Sequence, residues 1–187
     1  MRKITAALNM TLDGIFDHDA VTADAELHRH YTRLLTDADT ILYGRITYQL
    51  MEYWKTLAAK PSGEQSMDDF AAVMDRIQKI VFSTTLHNTD WNTARLATLT
   101  VEEEVKKLKK IPGGDILVGS RSLIIQLLER DLIDEFQLCI HPVIAGKGQN
   151  LYEHFNMRKT FQLHRTKTFQ NGALVCFYHR SEEDISV

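Results

Sequence analysis

Four short apolar runs, ITAAL (4–8), TILYG (40–44), KIVFS (79–83) and DILVG (115–119), recur through the first two thirds of the chain with amphipathic stretches between them. Runs of this length are strands rather than helices, and a strand apolar at nearly every position is covered on both faces. The stretches between them carry helical spacing. From Asp24 onward it is held by Leu27, Tyr31, Leu34, Leu35 and Ala38, with Thr22 or Asp24 able to cap. TYQLMEYWKTLAA (47–59) reads as a second helix, and Met67, Phe70, Ala71, Met74 and Ile77 mark a third over 67–78. Thr100 and Glu103 form a capping box ahead of a short charged helix, and SRSLIIQLLERD (120–131) supplies another. Strand and helix in alternation build a parallel sheet with helices on both faces, because parallel neighbours need a crossover.

Beyond residue 131 the pattern changes. EFQLCIHPVI (135–144) is strand-like, and TFQLHRTKTF (160–169) and ALVCFYHR (173–180) flank Gln170-Asn171-Gly172, a strong hairpin signal. The expectation is one α/β domain over 1–187, its central sheet mostly parallel, with an antiparallel C-terminal hairpin at the edge. At 187 residues the chain buries roughly 70% of its unfolded surface and needs no staple.

A formal net charge of -3 argues against a long basic face for nucleic acid and leaves room only for a local cationic pocket. Cys139 and Cys176 sit in apolar stretches with no CxxC partner, so they read as buried thiols of a cytoplasmic protein. No segment approaches the ~20 apolar residues of a membrane helix, and Thr5 and Asn9 break the opening run, which rules against a signal peptide. His28 and His30 are two apart on a helix and no HExxH occurs, so no metal is expected and these histidines read as solvated. KKLKK (106–110) facing EEE (102–104) reads as a paired, exposed face.

In open α/β sheets ligands bind beyond the carboxyl ends of the strands. Here those positions hold Gly44-Arg45-Ile46-Thr47, Ser83-Thr84-Thr85 and Gly119-Ser120-Arg121-Ser122. Each set offers small or hydroxyl residues, two add an arginine, and two open a helix whose free N–H groups favour an anion, phosphate first. Neither YGRITY nor VGSRSL matches GxGxxG or GxxxxGK[ST], so neither dinucleotide nor Walker fingerprints account for them.

The ordered set TLDG (11–14), ILYGRITY (41–48), IVFSTTL (80–86), GGDILVGSRSLIIQLLERDLIDEFQLCIHPVIAGKGQNLY (113–152) and a closing hairpin resembles the dihydrofolate reductase superfamily. Within it, the chain is most similar to the branch holding the reductase domain of bacterial riboflavin biosynthesis and its small stand-alone relatives. The resemblance implies a three-layer fold, NADPH as cofactor and, commonly in that branch, a homodimer. It implies that Gly44, Arg45, Thr47, Ser83 and Thr84 hold the adenosine end, Arg45 taking the 2′-phosphate. It implies that Gly119, Ser120, Arg121 and Ser122 approach the pyrophosphate, Ser120 standing where the family usually has a second glycine. It names Asp13, in the LDG turn, as the catalytic candidate near nicotinamide or substrate. Asp24 and Glu26 are better explained as first-turn acids, and of Tyr48, Tyr53 and Trp54 two belong to the core. The implied activity is hydride transfer to a small heterocycle of pterin, pyrimidine or ribosylaminopyrimidine type. The alternative is a nucleotide-binding regulatory protein without turnover.

Overall fold

A computed structural model describes residues 2–181. Eight strands form one sheet in the order β4-β3-β2-β5-β1-β6-β8-β7. In chain order they are β1 (Ile4–Thr11), β2 (Ala38–Gly44), β3 (Gln78–Phe82), β4 (Ala94–Leu96), β5 (Asp115–Val118), β6 (Glu135–His141), β7 (Phe161–Thr168) and β8 (Leu174–Arg180). The helices are α1 (Ala25–Asp37), α2 (Arg45–Ala59), α3 (Gln65–Arg76), α4 (Val101–Lys109) and α5 (Arg121–Glu129). Strands β1 to β6 run parallel, and β8 pairs antiparallel with both β6 and β7. The expected α/β fold with its antiparallel edge hairpin is therefore present. One strand was absent from the sequence reading: β4 has three residues, too few to show a period.

Alternation along the strands sorts the core into layers. On β2, Leu42 points into a cluster with Val105, Leu108, Leu123, Ile124 and Leu127 of α4 and α5. Its neighbours Ile41 and Tyr43 point the other way, toward Leu35, Tyr48, Phe70 and Met74 of α1, α2 and α3. A third cluster, Leu27 with Cys139, Phe169, Val175 and Phe177, seats α1 on β6 and the hairpin. Both cysteines are free and buried. Among the described residues no helix is long and apolar enough to cross a membrane.

Two charge assignments change. Lys106 pairs with Glu102 as expected (2.5 Å), but Glu104 is 1% exposed and pairs with Arg95, while Lys109 reaches Asp134 (2.6 Å). The acidic run thus straddles a helix, one member facing inward. His28 and His30 are not solvated either. His28 packs on Trp54 and Phe70, and His30 stacks edge-on to Tyr31, Phe169 and Phe177.

Lys79 opens the apolar part of β3 yet is 1% exposed. Its Nζ donates to the Ile77 carbonyl (2.9 Å) and Thr93 Oγ1 (2.8 Å) and lies 3.8 Å from the centroid of Trp91. Trp91 in turn donates from Nε1 to Asp75 Oδ1 (2.6 Å). Burial lowers the Lys79 pKa from 10.5 to about 7. The folded value lies below the unfolded one, so the unfolded chain holds a proton that the fold releases, and stability from this group rises as pH climbs from about 7 toward 10.5. Urea unfolding of wild type and Lys79→Met between pH 7 and 9 checks this: the stability of wild type relative to the variant grows with pH. A difference that stays level would mean the lysine keeps its ordinary proton affinity.

Candidate active site at the carboxyl ends of the strands

Strands β3, β2, β5 and β1 are consecutive in the sheet, so the segments that follow them share one rim. Ser83 and Thr84, Gly44 to Thr47, Gly119 to Ser122, and the Leu12–Gly14 turn stand there in that order. Two of the turns are bonded to each other. The Gly44 N–H donates to Ser120 Oγ (2.8 Å), and Ser120 is only 2% exposed. A Cβ on Gly44 would lie in ordinary contact with Ser122 Oγ at 3.4 Å.

The helices opening at this junction differ from the rest. The N-cap residues of α1, α3 and α4 close their free N–H groups with side-chain oxygens of Asp24, Glu64 and Thr100, and each of these helices has an acid in its first turn. The N-caps of α2 and α5, Gly44 and Ser120, make no side-chain cap bond, and neither first turn holds an acid. Unsatisfied N–H groups and positive dipole ends thus converge where β2 meets β5. Arg45 stands exposed beside them, its Nη1 3.2 Å from Gln49 Oε1. Thr47 is half-buried in the same first turn, and Thr84 is exposed.

Several sequence candidates are engaged differently from expectation. Arg121 turns away from the rim: Nε donates to the carbonyls of Asn150 and Leu151 (3.0 Å each) and Nη2 to that of Glu153 (2.5 Å). It straps the loop after β6 to α5, which leaves Arg45 as the arginine at the junction. Ser83 Oγ accepts from the N–H groups of Thr85 (3.1 Å) and Leu86 (2.9 Å), folding its own turn. Asp13 is taken up by structure. Its carboxylate accepts from Thr11 Oγ1 (2.5 Å) and from the N–H groups of Ala145 (3.1 Å) and Gly146 (2.8 Å). These bonds, the Thr11 hydroxyl first, pull its pKa down to about 2. Asp24 and Glu26 serve the fold as well, accepting from Asn171 Nδ2 (2.8 Å) and the Gln170 N–H (3.0 Å) of the hairpin.

The loops after β1 and β6 are laced together by further bonds: Leu12 N–H to the Val143 carbonyl (2.8 Å), Phe16 N–H to that of Gln149 (3.2 Å), and Gln149 N–H to Asp17 Oδ2 (3.0 Å). Gly148, at φ 132°, is where this lacing is tightest, because a Cβ would run into Asp17 and Ile15.

Beneath this wall lies a polar cluster that sequence reasoning missed. Asn9 of β1 and Cys139 and His141 of β6 point to the α1 side of the sheet, in register Asn9↔Cys139 and Thr11↔His141. Asn9 Oδ1 accepts from Tyr31 Oη of α1 (3.1 Å) and from His141 Nε2 (3.0 Å). The contact to Asn9 Oδ1 is a hydrogen bond in the tautomer with the proton on His141 Nε2, which leaves Nδ1 as acceptor; Cys139 Sγ lies 3.5 Å from the same nitrogen. His141 is 3% exposed and burial lowers its pKa, so it is neutral at pH 7. The available signal was Asn9 ending an otherwise apolar run, but His141 is 132 residues away. Tyr48 and Trp54 belong to the core and Tyr53 is 55% exposed, as expected of two in three. Among the described residues no group of His, Cys, Asp or Glu is arranged to hold a metal.

A family model described as the RibD C-terminal domain matches residues 2–175. The uncharacterized Bacillus subtilis protein YyaP is 35% identical over 182 residues, covering 95% of each chain. Among solved structures, a Shewanella sp. PV-4 protein assigned provisionally to riboflavin biosynthesis superposes with a TM-score of 0.72 at 16% identity, over 96% of this chain and 99% of that one. A Thermotoga maritima diaminohydroxyphosphoribosylaminopyrimidine deaminase/5-amino-6-(5-phosphoribosylamino)uracil reductase superposes with a TM-score of 0.68 at 16% identity, over 96% of this chain and 57% of that one.

The engagement of Asp13 makes a direct prediction. Its depressed pKa means that the bracing is present above about 4 and is lost as pH falls toward about 2. In Asp13→Asn, hydrogen exchange at Ala145 and Gly146 is faster than in wild type at pH 6, and the difference fades as wild type is acidified. Equal exchange at pH 6 would show that the loop holds without the carboxylate.

Proposed function

Because the chain belongs to the family of RibD C-terminal domains, we propose that it is an NADPH-dependent reductase acting on a small planar heterocycle of pyrimidine or pterin type. One observation carries the reading: two helix N-termini without caps or acids, joined through Gly44 and Ser120, with Arg45 at their side. That junction suits a pyrophosphate, and an exposed guanidinium with no acid partner among the described residues suits a ribose phosphate. Arg45, Thr47, Ser83 and Thr84 would hold the adenosine end, and Gly119, Ser120 and Ser122 the pyrophosphate. When bound, NADPH supplies the hydride.

The substrate end falls to the cluster under α1. Gly119 approaches the Ala7 carbonyl of β1, so Asn9 stands two residues along that strand from the phosphate turn. In the Nε2-protonated tautomer of His141 the Asn9 amide offers a donor and His141 an acceptor, the complement of a heterocycle that presents C=O and N–H side by side. Tyr31 keeps its proton, burial raising its pKa well above 10.0, and serves to hold Asn9. The laced loops above the cluster limit access of water.

Arg45→Ala tests the cofactor end: NADPH binding weakens roughly thirtyfold, the worth of one charge-assisted bond of about 2 kcal/mol, while NADH binding changes little. Equal losses for both would remove the 2′-phosphate from the reading. Oxidation of NADPH in the presence of a panel of pyrimidines and pterins tests the activity. Tight NADPH binding with no oxidation by any of them would favour a regulatory, non-catalytic protein. Asn9→Ala and His141→Ala lower turnover and leave NADPH affinity within about twofold of wild type; loss of cofactor affinity in both would move the cluster out of the substrate pocket.

A further inference from the structure

A hollow of about 200 Å³ lies between the outer side of α1 and the β7–β8 hairpin, lined by Glu26, Arg29, His30, Arg33, Lys167 and Gln170. Arg29 and Arg33 are one helical turn apart and so share a side of α1. Lys167 is in register with Val175, which is in register with Cys139, so it projects from the sheet on the same side as α1. Arg165, two residues earlier on β7, adds a fourth cation next to the hollow. The hairpin cations are held over rings: Arg165 lies 4.0 Å from the Phe177 centroid and Lys167 4.4 Å from that of Phe169. Glu26, the one acid lining the hollow, accepts the Gln170 N–H, and Asp24 close by accepts from Asn171.

Among the described residues none of the four cations enters an ion pair. On a chain of net charge -3 this is a local concentration of positive potential, with Glu26 the one acid in its lining. His30, at the centre, has its pKa lowered to about 4, by burial first and then by Lys167, Arg165 and Arg33. At neutral pH the hollow therefore holds a neutral imidazole with Arg29, Arg33 and Lys167 around it and Glu26 beside them.

We infer that the hollow between α1 and the hairpin binds a phosphate group, free or carried on a small molecule, at a site separate from the cofactor rim. Arg29 and Arg33 supply planar forks that each can bond two oxygens, Lys167 a point charge, and the Gln170 amide a neutral donor. The hollow, about 200 Å³, takes one tetrahedral oxyanion with room for a short polyol. Its chemistry does not depend on the reductase reading, since no rim residue takes part.

The test uses the whole chain at pH 7.5, titrated with inorganic phosphate and with glycerol 3-phosphate, and with potassium chloride at matched ionic strength as the blank. Calorimetry gives the affinity and amide shifts give the place. The expected result is saturable binding with shifts confined to residues 26–33 and 165–171. Arg33→Gln and Lys167→Gln each weaken it about tenfold, the loss of one charge-assisted bond in part compensated by its neighbours. Tighter binding of the ester assigns the site to a phosphorylated metabolite, and equal or better binding of inorganic phosphate assigns it to the free ion. NADPH affinity in both variants stays at the wild-type value, whatever becomes of the proposed activity. Shifts that track potassium chloride without saturating, or saturable binding that neither variant weakens, would overturn the inference. A second readout guards against misfolded variants: the His30 ring titrates near pH 4 in wild type, higher when sulfate is present, and higher in Arg33→Gln without any anion.

Discussion

The hydrogen bond from the Gly44 N–H to Ser120 Oγ fixes the geometry of everything at the carboxyl rim. β2 and β5 are neighbours in the sheet but lie 76 residues apart in sequence, and this bond ties the turns that follow them. A hydroxyl does here what a glycine pair could not. It accepts one orphan N–H of α2, so the junction is held. Two helix starts are thereby brought side by side, and neither is quenched.

Charge is distributed unevenly among the helix starts. Asp24 caps α1, Glu64 caps α3 and Thr100 caps α4, and each of these helices has an acid in its first turn. The two helices without them carry Arg45 and Arg121 as their first residues, cations where the dipole disfavours them. Arg121 resolves that conflict by binding three carbonyls of the loop after β6. Among the described residues Arg45 has a neutral glutamine and no acid beside it, and its exposed guanidinium is left to solvent.

Most of the sheet could be read from the sequence because buried parallel strands write themselves as apolar runs, and the hairpin because Gln170-Asn171-Gly172 has few other uses. The rim was legible for the same reason: a residue just past such a run has one place to be. What escaped was set by pairing across the sheet. Nothing local to Asn9 reveals His141, and nothing in IVF shows that Lys79 before it is buried over Trp91. Asp13 was misleading because an Asp-Gly turn looks the same whether its carboxylate faces a ligand or the N–H groups of Ala145 and Gly146. Arg121 misled likewise, being at the right position in the chain with its guanidinium turned to a loop thirty residues on.

The sheet ends on two strands of opposite character, β4 at one side and β7 at the other. An unpaired strand edge is a template on which other chains can polymerise. β4 escapes by brevity, offering three residues to any newcomer. β7 is eight residues long and broken by a register shift between Leu163 and Arg165, and beyond that break its exposed stretch carries Arg165 and Lys167. Lys167, which lines the hollow beside α1, and Arg165 next to it therefore also act as gatekeepers for solubility. Any redesign that neutralised them to alter ligand preference would at the same time unmask the long edge to self-association.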